Sequence, residues 1–110
     1  MPPSDCDLDA RTAHELLAHP VRRAAVAALA EAAPLSTTEL ARLVAARDHP
    51  EPSARPRDLA EREVEIELSA RHLPKLESAC VVQDTDAGYD CGRRFDSLLQ
   101  VFDTTEELVR

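Results

Sequence analysis

The sequence predicts a mainly α-helical domain with one small β-hairpin, in the order α-α-α-α-β-β-α. Three observations predict it. Apolar residues recur at helical spacing in five separate segments. Ser36-Thr37-Thr38-Glu39 is a capping box, in which hydroxyl and carboxylate satisfy each other's open backbone donors at a helix start. Asp86-Ala87-Gly88 supplies turn chemistry between two short segments, 81–84 and 89–92. Composition agrees: hydrophobic residues make up 44% of the chain but aromatics only 3%, so the core is built from Leu, Val and Ala, which suits packed helices. A chain of 110 residues holds one such core.

Residues 1–7 are polar and proline-bearing and are expected to be a disordered tip; residues 8–110 form the domain. In the first helix Leu8, Ala13, Leu16 and Leu17 share a face. His19-Pro20 separates it from a second helix, 21–32, because proline is tolerated at a first helical position where its missing N–H has no partner to lose. That helix buries Val21, Ala25, Ala28 and Leu29. The capping box opens a third helix, 37–47, with Leu40, Leu43 and Val44 facing inward. Three prolines then make 48–57 a loop, longer than the three or four residues of a tight helix-turn-helix.

Residues 58–79 read as one long helix. Leu59, Ile66, Leu73 and Cys80 fall at seven-residue steps, with Ser69 and Leu76 filling the adjacent seam. Val64, Ile66 and Leu68 also alternate with glutamates, which would suit a short exposed strand; length favours the helix. Pro74 lies inside it and should kink it, since its ring clashes with the Ala70 carbonyl. A hairpin at 81–92 follows, with Gly88 free to take positive φ, and then a closing helix at 95–108 carrying Phe95, Leu98, Leu99 and Phe102. A hairpin directly after a fourth helix fits a winged helix-turn-helix, with 81–92 as the wing.

Acids outnumber bases, for a formal net charge of −8, and Lys75 is the only lysine. This alanine-rich, lysine-poor composition looks like an adaptation to multimolar intracellular salt; a GC-rich genome with an ordinary acidic surface would give the same numbers. At ordinary ionic strength −8 argues against a nucleic-acid partner. In about 1 M salt the Debye length falls to about 3 Å, and distant acids hardly oppose a phosphate backbone. Locally the balance differs. Segment 68–83 carries Arg71 and Lys75 against Glu77 alone, whereas 51–67 holds six acids and three arginines.

Cys6, Cys80 and Cys91 are odd in number and include no CxxC pair. Cys91 should face Val82 across the hairpin, one diagonal step from Cys80, and a small buried hydrophobe is the default role for Cys80. The acidic N-terminus is no signal peptide, and no apolar run approaches the roughly 18 residues of a membrane span. A cytoplasmic chain with reduced thiols and no membrane association is expected. His14, His19, His49 and His72 are too scattered for the compact four-ligand spacing zinc requires, so no metal and no cofactor is expected. Gly-rich phosphate loops, a nucleophile elbow, HExxH and a paired-carboxylate pocket are all missing from the sequence, so neither an enzyme nor a small-molecule substrate is indicated.

Three stretches resemble one family. His14-Glu15-Leu16-Leu17-Ala18-His19-Pro20-Val21-Arg22-Arg23 is similar to the opening of ArsR-type winged-helix regulators, and Leu35–Ala41 to their positioning helix. Ser69-Ala70-Arg71-His72-Leu73, Leu76 and Ala79-Cys80-Val81-Val82 are similar to their recognition helix running into the wing, with Cys80 where the family carries glycine. The form HLPKLE after VEIEL looks closer still to small uncharacterised winged-helix proteins of halophilic archaea. The resemblance covers roughly 14–92, apart from the loop. It implies a DNA-binding transcriptional regulator whose Arg71, His72 and Lys75, opposite Leu73 and Leu76, reach base edges in double-stranded DNA. It also implies that Thr37 or Thr38 and Arg93 or Arg94 hold phosphates. A homodimer through the first and last helices would set two recognition helices in successive major grooves. The acidic run 61–67 suits phosphates poorly. The alternative is a winged-helix protein–protein interaction module without DNA binding, docking through its acidic face and 95–108.

Overall fold

The computed structural model describes residues 8–48 and 57–109. The expected tip at 1–7, and the expected loop at 48–57 apart from its two end residues, lie outside them; Asp48 and Arg57 are themselves helical.

Helix α1 (Ala10–Leu16) starts where the Asp9 carboxylate accepts a hydrogen bond from the Thr12 N–H, one of the donors a first helical turn leaves open. Helix α2 (Pro20–Ala32) begins at the predicted proline, capped by His19, whose Nδ1 accepts from the Val21 N–H. Two arginines of α2 hold the corner between these helices. Arg22 donates to the carbonyls of Leu16 (2.7 Å) and Glu15 (3.1 Å), and Arg23 donates to that of Leu17 (2.8 Å). The last carbonyls of a helix have no partner within it, and cations there complement its dipole. The sequence HPVRR therefore starts one helix and closes the preceding one.

Helix α3 (Thr37–Asp48) opens on the predicted capping box, with reciprocal bonds between Ser36 and Glu39, both 3.1 Å. Its buried stripe is Leu40, Ala41, Val44 and Ala45. Leu43, predicted to face the core, is partly exposed at the stripe's edge.

The predicted long helix is one rod in three parts: α4 (Arg57–Glu67), a π-helical turn (Leu68–His72) and α5 (Leu73–Ser78). Segment 64–68 is helical, and the strand reading falls. The widened turn lies directly ahead of Pro74, where the Leu73 N–H bonds to the Leu68 carbonyl five residues back. Proline has no N–H to give and its ring needs the preceding carbonyls moved aside; a turn with one extra residue does that. The extra residue also resets which face points inward. The seven-residue seam is consequently broken, with Ile66 62% exposed and Leu73 fully buried. The inward row is Val64, Leu68, His72, Leu73 and Leu76.

The rod ends in a Schellman turn. Val81 N–H bonds to the Leu76 carbonyl and Cys80 N–H to that of Glu77, with Cys80 in the left-handed region at φ 64°. Val81 and Leu76 are both buried, completing the motif's hydrophobic contact.

Strands β1 (Val82–Thr85) and β2 (Gly88–Cys91) pair antiparallel with Val82 opposite Cys91, the predicted register. Tyr89 also exchanges two hydrogen bonds with Leu35 (2.9 and 2.7 Å), so the α2–α3 connection adds a one-residue third strand. Gly88, at φ 117°, permits this approach, since a Cβ there would stand 2.6 Å from the Leu35 carbonyl. Helix α6 (Phe95–Val109) returns against α1 and α2 through Phe95 and Leu98. The molecule is thus mainly helical, with a hairpin wing after its fourth helical rod: a winged-helix arrangement.

Candidate nucleic-acid interface

Arg71 lies in the π turn and Lys75 one turn further along, both exposed, while Leu73 and Leu76 of the same rod are fully buried. The two cations thus stand on the outer side of the rod, as predicted. Among the described residues neither has a hydrogen-bond or ion-pair partner, although acids outnumber Lys and Arg 21 to 13 in the chain. Unpaired guanidinium and ammonium groups keep their full capacity for an external anion or base edge.

His72 does not belong to that face. Predicted to reach base edges, it is fully buried and turned toward the α1–α2 corner. Its Nδ1 lies 3.1 Å from Nη1 of Arg22 and its ring 4.3 Å, centroid to centroid, from that of His19. Arginine can only donate, so Nδ1 accepts and the neutral ring carries its proton on Nε2. That nitrogen has no hydrogen-bond partner among the described residues, and the Glu67 carboxylate stands 4.0 Å away. Burial, then the neighbouring His19 and Arg22, push the pKa of His72 down to about 4. Burial and the Arg71 guanidinium likewise lower that of Arg22. The physical reason is spacing: His72 lies four residues from both Leu68 and Leu76 and shares their buried face, and the π turn brings Leu73 in beside it.

The start of α3 is also occupied differently from expectation. Thr38 donates its hydroxyl proton to the Glu65 carboxylate at 3.1 Å, across the α3–α4 contact. Thr37 is half-buried, and the open Ser36 N–H is taken by Glu39. Hydrogen bonding to Ser36 lowers the pKa of the Glu39 carboxyl, which therefore stays ionised.

In the wing, Arg93 is exposed with Nη2 3.5 Å from the Cys80 sulfur, beside an open groove of about 410 Å³ lined by Glu77, Val82 and Asp84 among others. Arg94 is half-buried, and its backbone N–H donates to the Cys80 carbonyl. Cys80, expected as a small buried hydrophobe, is half-buried. Its position at the αL end of the rod, where glycine fits best, sets that exposure. Burial, then the nearby Asp90 and Asp96, raise the pKa of Cys91. No group of three or more His, Cys, Asp or Glu among the described residues could hold a metal ion.

The structure therefore leaves Arg71 and Lys75 exposed and without a partner among the described residues, bonds Thr38 to Glu65, sets Arg93 against Cys80 and withdraws His72 into the core. Sequence reasoning missed Arg22 and His19 as the groups that contact His72 of the rod. The signal was present: basic side chains one turn after a helix-starting proline can reach back over the preceding helix end. It also missed Glu65, whose approach to Thr38 depends on how α3 and α4 dock.

A capped third helix, a long helical rod and a hairpin wing followed by a closing helix give a winged-helix arrangement. A family model described as a domain of unknown function, DUF7344, matches residues 14–89, and the chain belongs to that family. The matched stretch runs from within α1 to the second residue of β2 and leaves α6 outside. Neither a curated protein nor a solved structure matches the chain.

Proposed function

We propose that this protein is a DNA-binding transcriptional regulator of ArsR-like type, a homodimer that reads double-stranded DNA with Arg71 and Lys75 of its recognition rod. The observation that carries the reading is the free state of these two cations in a strongly acidic chain. These two, on the rod whose Leu73 and Leu76 are buried, are exposed and have no hydrogen-bond or ion-pair partner among the described residues. Arginine and lysine at that place in the fold reach guanine N7 and O6 in a major groove. Arg93 on the wing supplies an outlying phosphate contact. The halophile-like composition supports a setting in which molar salt screens the remaining acids. No helix among the described residues is long and apolar enough to cross a membrane.

The test is fluorescence anisotropy with a labelled duplex, from about 0.1 M to about 2 M KCl. Wild-type binding that weakens at least tenfold in the Arg71→Ala/Lys75→Ala double variant, with folding intact by circular dichroism, is the expected result. Absence of binding across the whole salt range overturns the reading.

One observation favours a second reading, a protein-interaction module. Ile66 is 62% exposed on α4, the helix that also carries Glu61, Glu63, Glu65 and Glu67. An exposed apolar side chain on an acidic helix suits a basic protein partner.

A further inference from the structure

We infer that Glu65 is an intramolecular competitor for a DNA phosphate at the start of α3, and so sets both the affinity and the salt dependence of DNA binding. The inference rests on the DNA-binding reading above. The family resemblance implies that Thr37 or Thr38 meets the phosphate backbone there, and Thr38 is the exposed one of the two. In the structure its single hydroxyl proton is already donated to a Glu65 carboxylate oxygen at 3.1 Å. A hydroxyl has one proton to give, so phosphate and carboxylate exclude each other at that donor.

The competitor is held in place by the fold. Val64 packs against the core and Leu68 is fully buried, which fixes the rotation of α4 and directs Glu65 toward α3. The side chains themselves are exposed, so the bond opens without unfolding anything. Glu39, ionised and bonded to Ser36, is a second fixed negative charge in the same turn. A phosphate that displaces Glu65 from Thr38 still sits within a few ångströms of two carboxylates.

The consequence is specific in its salt dependence. At about 0.1 M salt the Debye length is about 10 Å and the repulsion acts in full; at about 1 M it is about 3 Å and the repulsion is largely screened. Counter-ion release at Arg71 and Lys75 weakens binding as salt rises, while screening of Glu65 acts the opposite way. Wild-type protein therefore binds DNA with a flatter salt dependence than its cations alone would give.

The experiment compares wild type, Glu65→Gln, Glu61→Gln and Glu65→Gln/Thr38→Val on one labelled duplex of mixed sequence, across the same KCl range. Glu61→Gln removes the same charge from the same helix without touching Thr38. Glu65→Gln is expected to bind about fivefold tighter than wild type at about 0.1 M KCl, with a salt slope steeper by about one, and to converge with wild type at molar salt. Glu61→Gln gains less than about twofold, and adding Thr38→Val abolishes the gain. Equal gains for Glu65→Gln and Glu61→Gln, a gain that survives Thr38→Val, or no duplex binding by Glu65→Gln overturns the inference. Arg71→Ala/Lys75→Ala in the wild-type and Glu65→Gln backgrounds scores the DNA reading separately: retained binding there defeats the recognition rod and leaves the Glu65 comparison standing.

Discussion

Nη1 of Arg22 lies 3.1 Å from Nδ1 of His72, and this contact ties the start of α2 to the π turn of the fourth helical rod, 50 residues later in the chain. The same guanidinium closes the end of α1 through Leu16 and Glu15. One side chain thus sets α1, α2 and the rod relative to one another, and it does so only while His72 is neutral. A protonated imidazole would present a donor to a donor.

Stability should therefore fall on acidification. His72 has a folded pKa of about 4 against an ordinary 6.5, so the unfolded chain takes the proton first as pH drops. Its contribution is complete above about pH 6.5 and is lost progressively toward pH 4, on the order of 3 kcal/mol in all. His72→Asn keeps an acceptor near the Nδ1 position and cannot titrate. Urea unfolding at pH 7 and pH 5 should show a clearly larger loss for wild type than for His72→Asn. Asp9 and Glu39, whose carboxyls are held below their usual values by hydrogen bonds, lose their contributions at lower pH and cancel in this difference. Equal losses in the two proteins would show that His72 does not carry the effect.

Cys80 occupies a left-handed conformation at the end of the rod, φ 64°, where a Cβ is strained and glycine is not. Cys80→Gly should stabilise the fold by about 0.5–1 kcal/mol, the relief of strain less the added entropy of an unfolded glycine. Its sulfur contacts only the exposed Arg93 side chain among the hydrogen-bonding groups described, so little is lost. A urea midpoint that stays put or moves down would contradict the Schellman assignment.

Gly88 combines positive φ with the close approach of Leu35, so Gly88→Ala meets strain and collision together. A cost of about 2–3 kcal/mol is expected, concentrated in the wing. Hydrogen exchange should show lost protection first at the Leu35 and Tyr89 amides, which bond to each other's carbonyls. Protection unchanged at both amides would mean that the third-strand pairing does not depend on glycine.

Much of this architecture was legible in the chain because its signals are local. The capping box at Ser36–Glu39, proline at the first position of α2, and turn residues at 86–88 each act within four residues, and each appears where expected. The hairpin register followed from its turn, so Cys91 opposite Val82 was predictable. The candidate site was legible as far as Arg71 and Lys75, whose outward placement needs only helical spacing against Leu73 and Leu76.

Thr38 and Glu65 were not legible, nor was the broken seam at Ile66; His72 was misread, since it lies four residues from both Leu68 and Leu76 and shares their buried face. Pro74 announced a disturbance, but a kink and a π turn satisfy the same steric demand, and only packing against α1 and α2 selects between them. The added residue put Leu73 on the buried face with Leu68 and broke its seam with Ile66, which points away from Val64 and Leu68. The Thr38–Glu65 bond depends on the docking of α3 against α4, a contact between residues 27 apart that no periodicity encodes. By itself, then, the sequence determined the helices, the wing and the outward placement of Arg71 and Lys75, because short-range caps, turns and spacing dictate them. Tertiary structure alone decided which titratable groups face one another, because that follows from the rotation and docking of whole helices around a shared core.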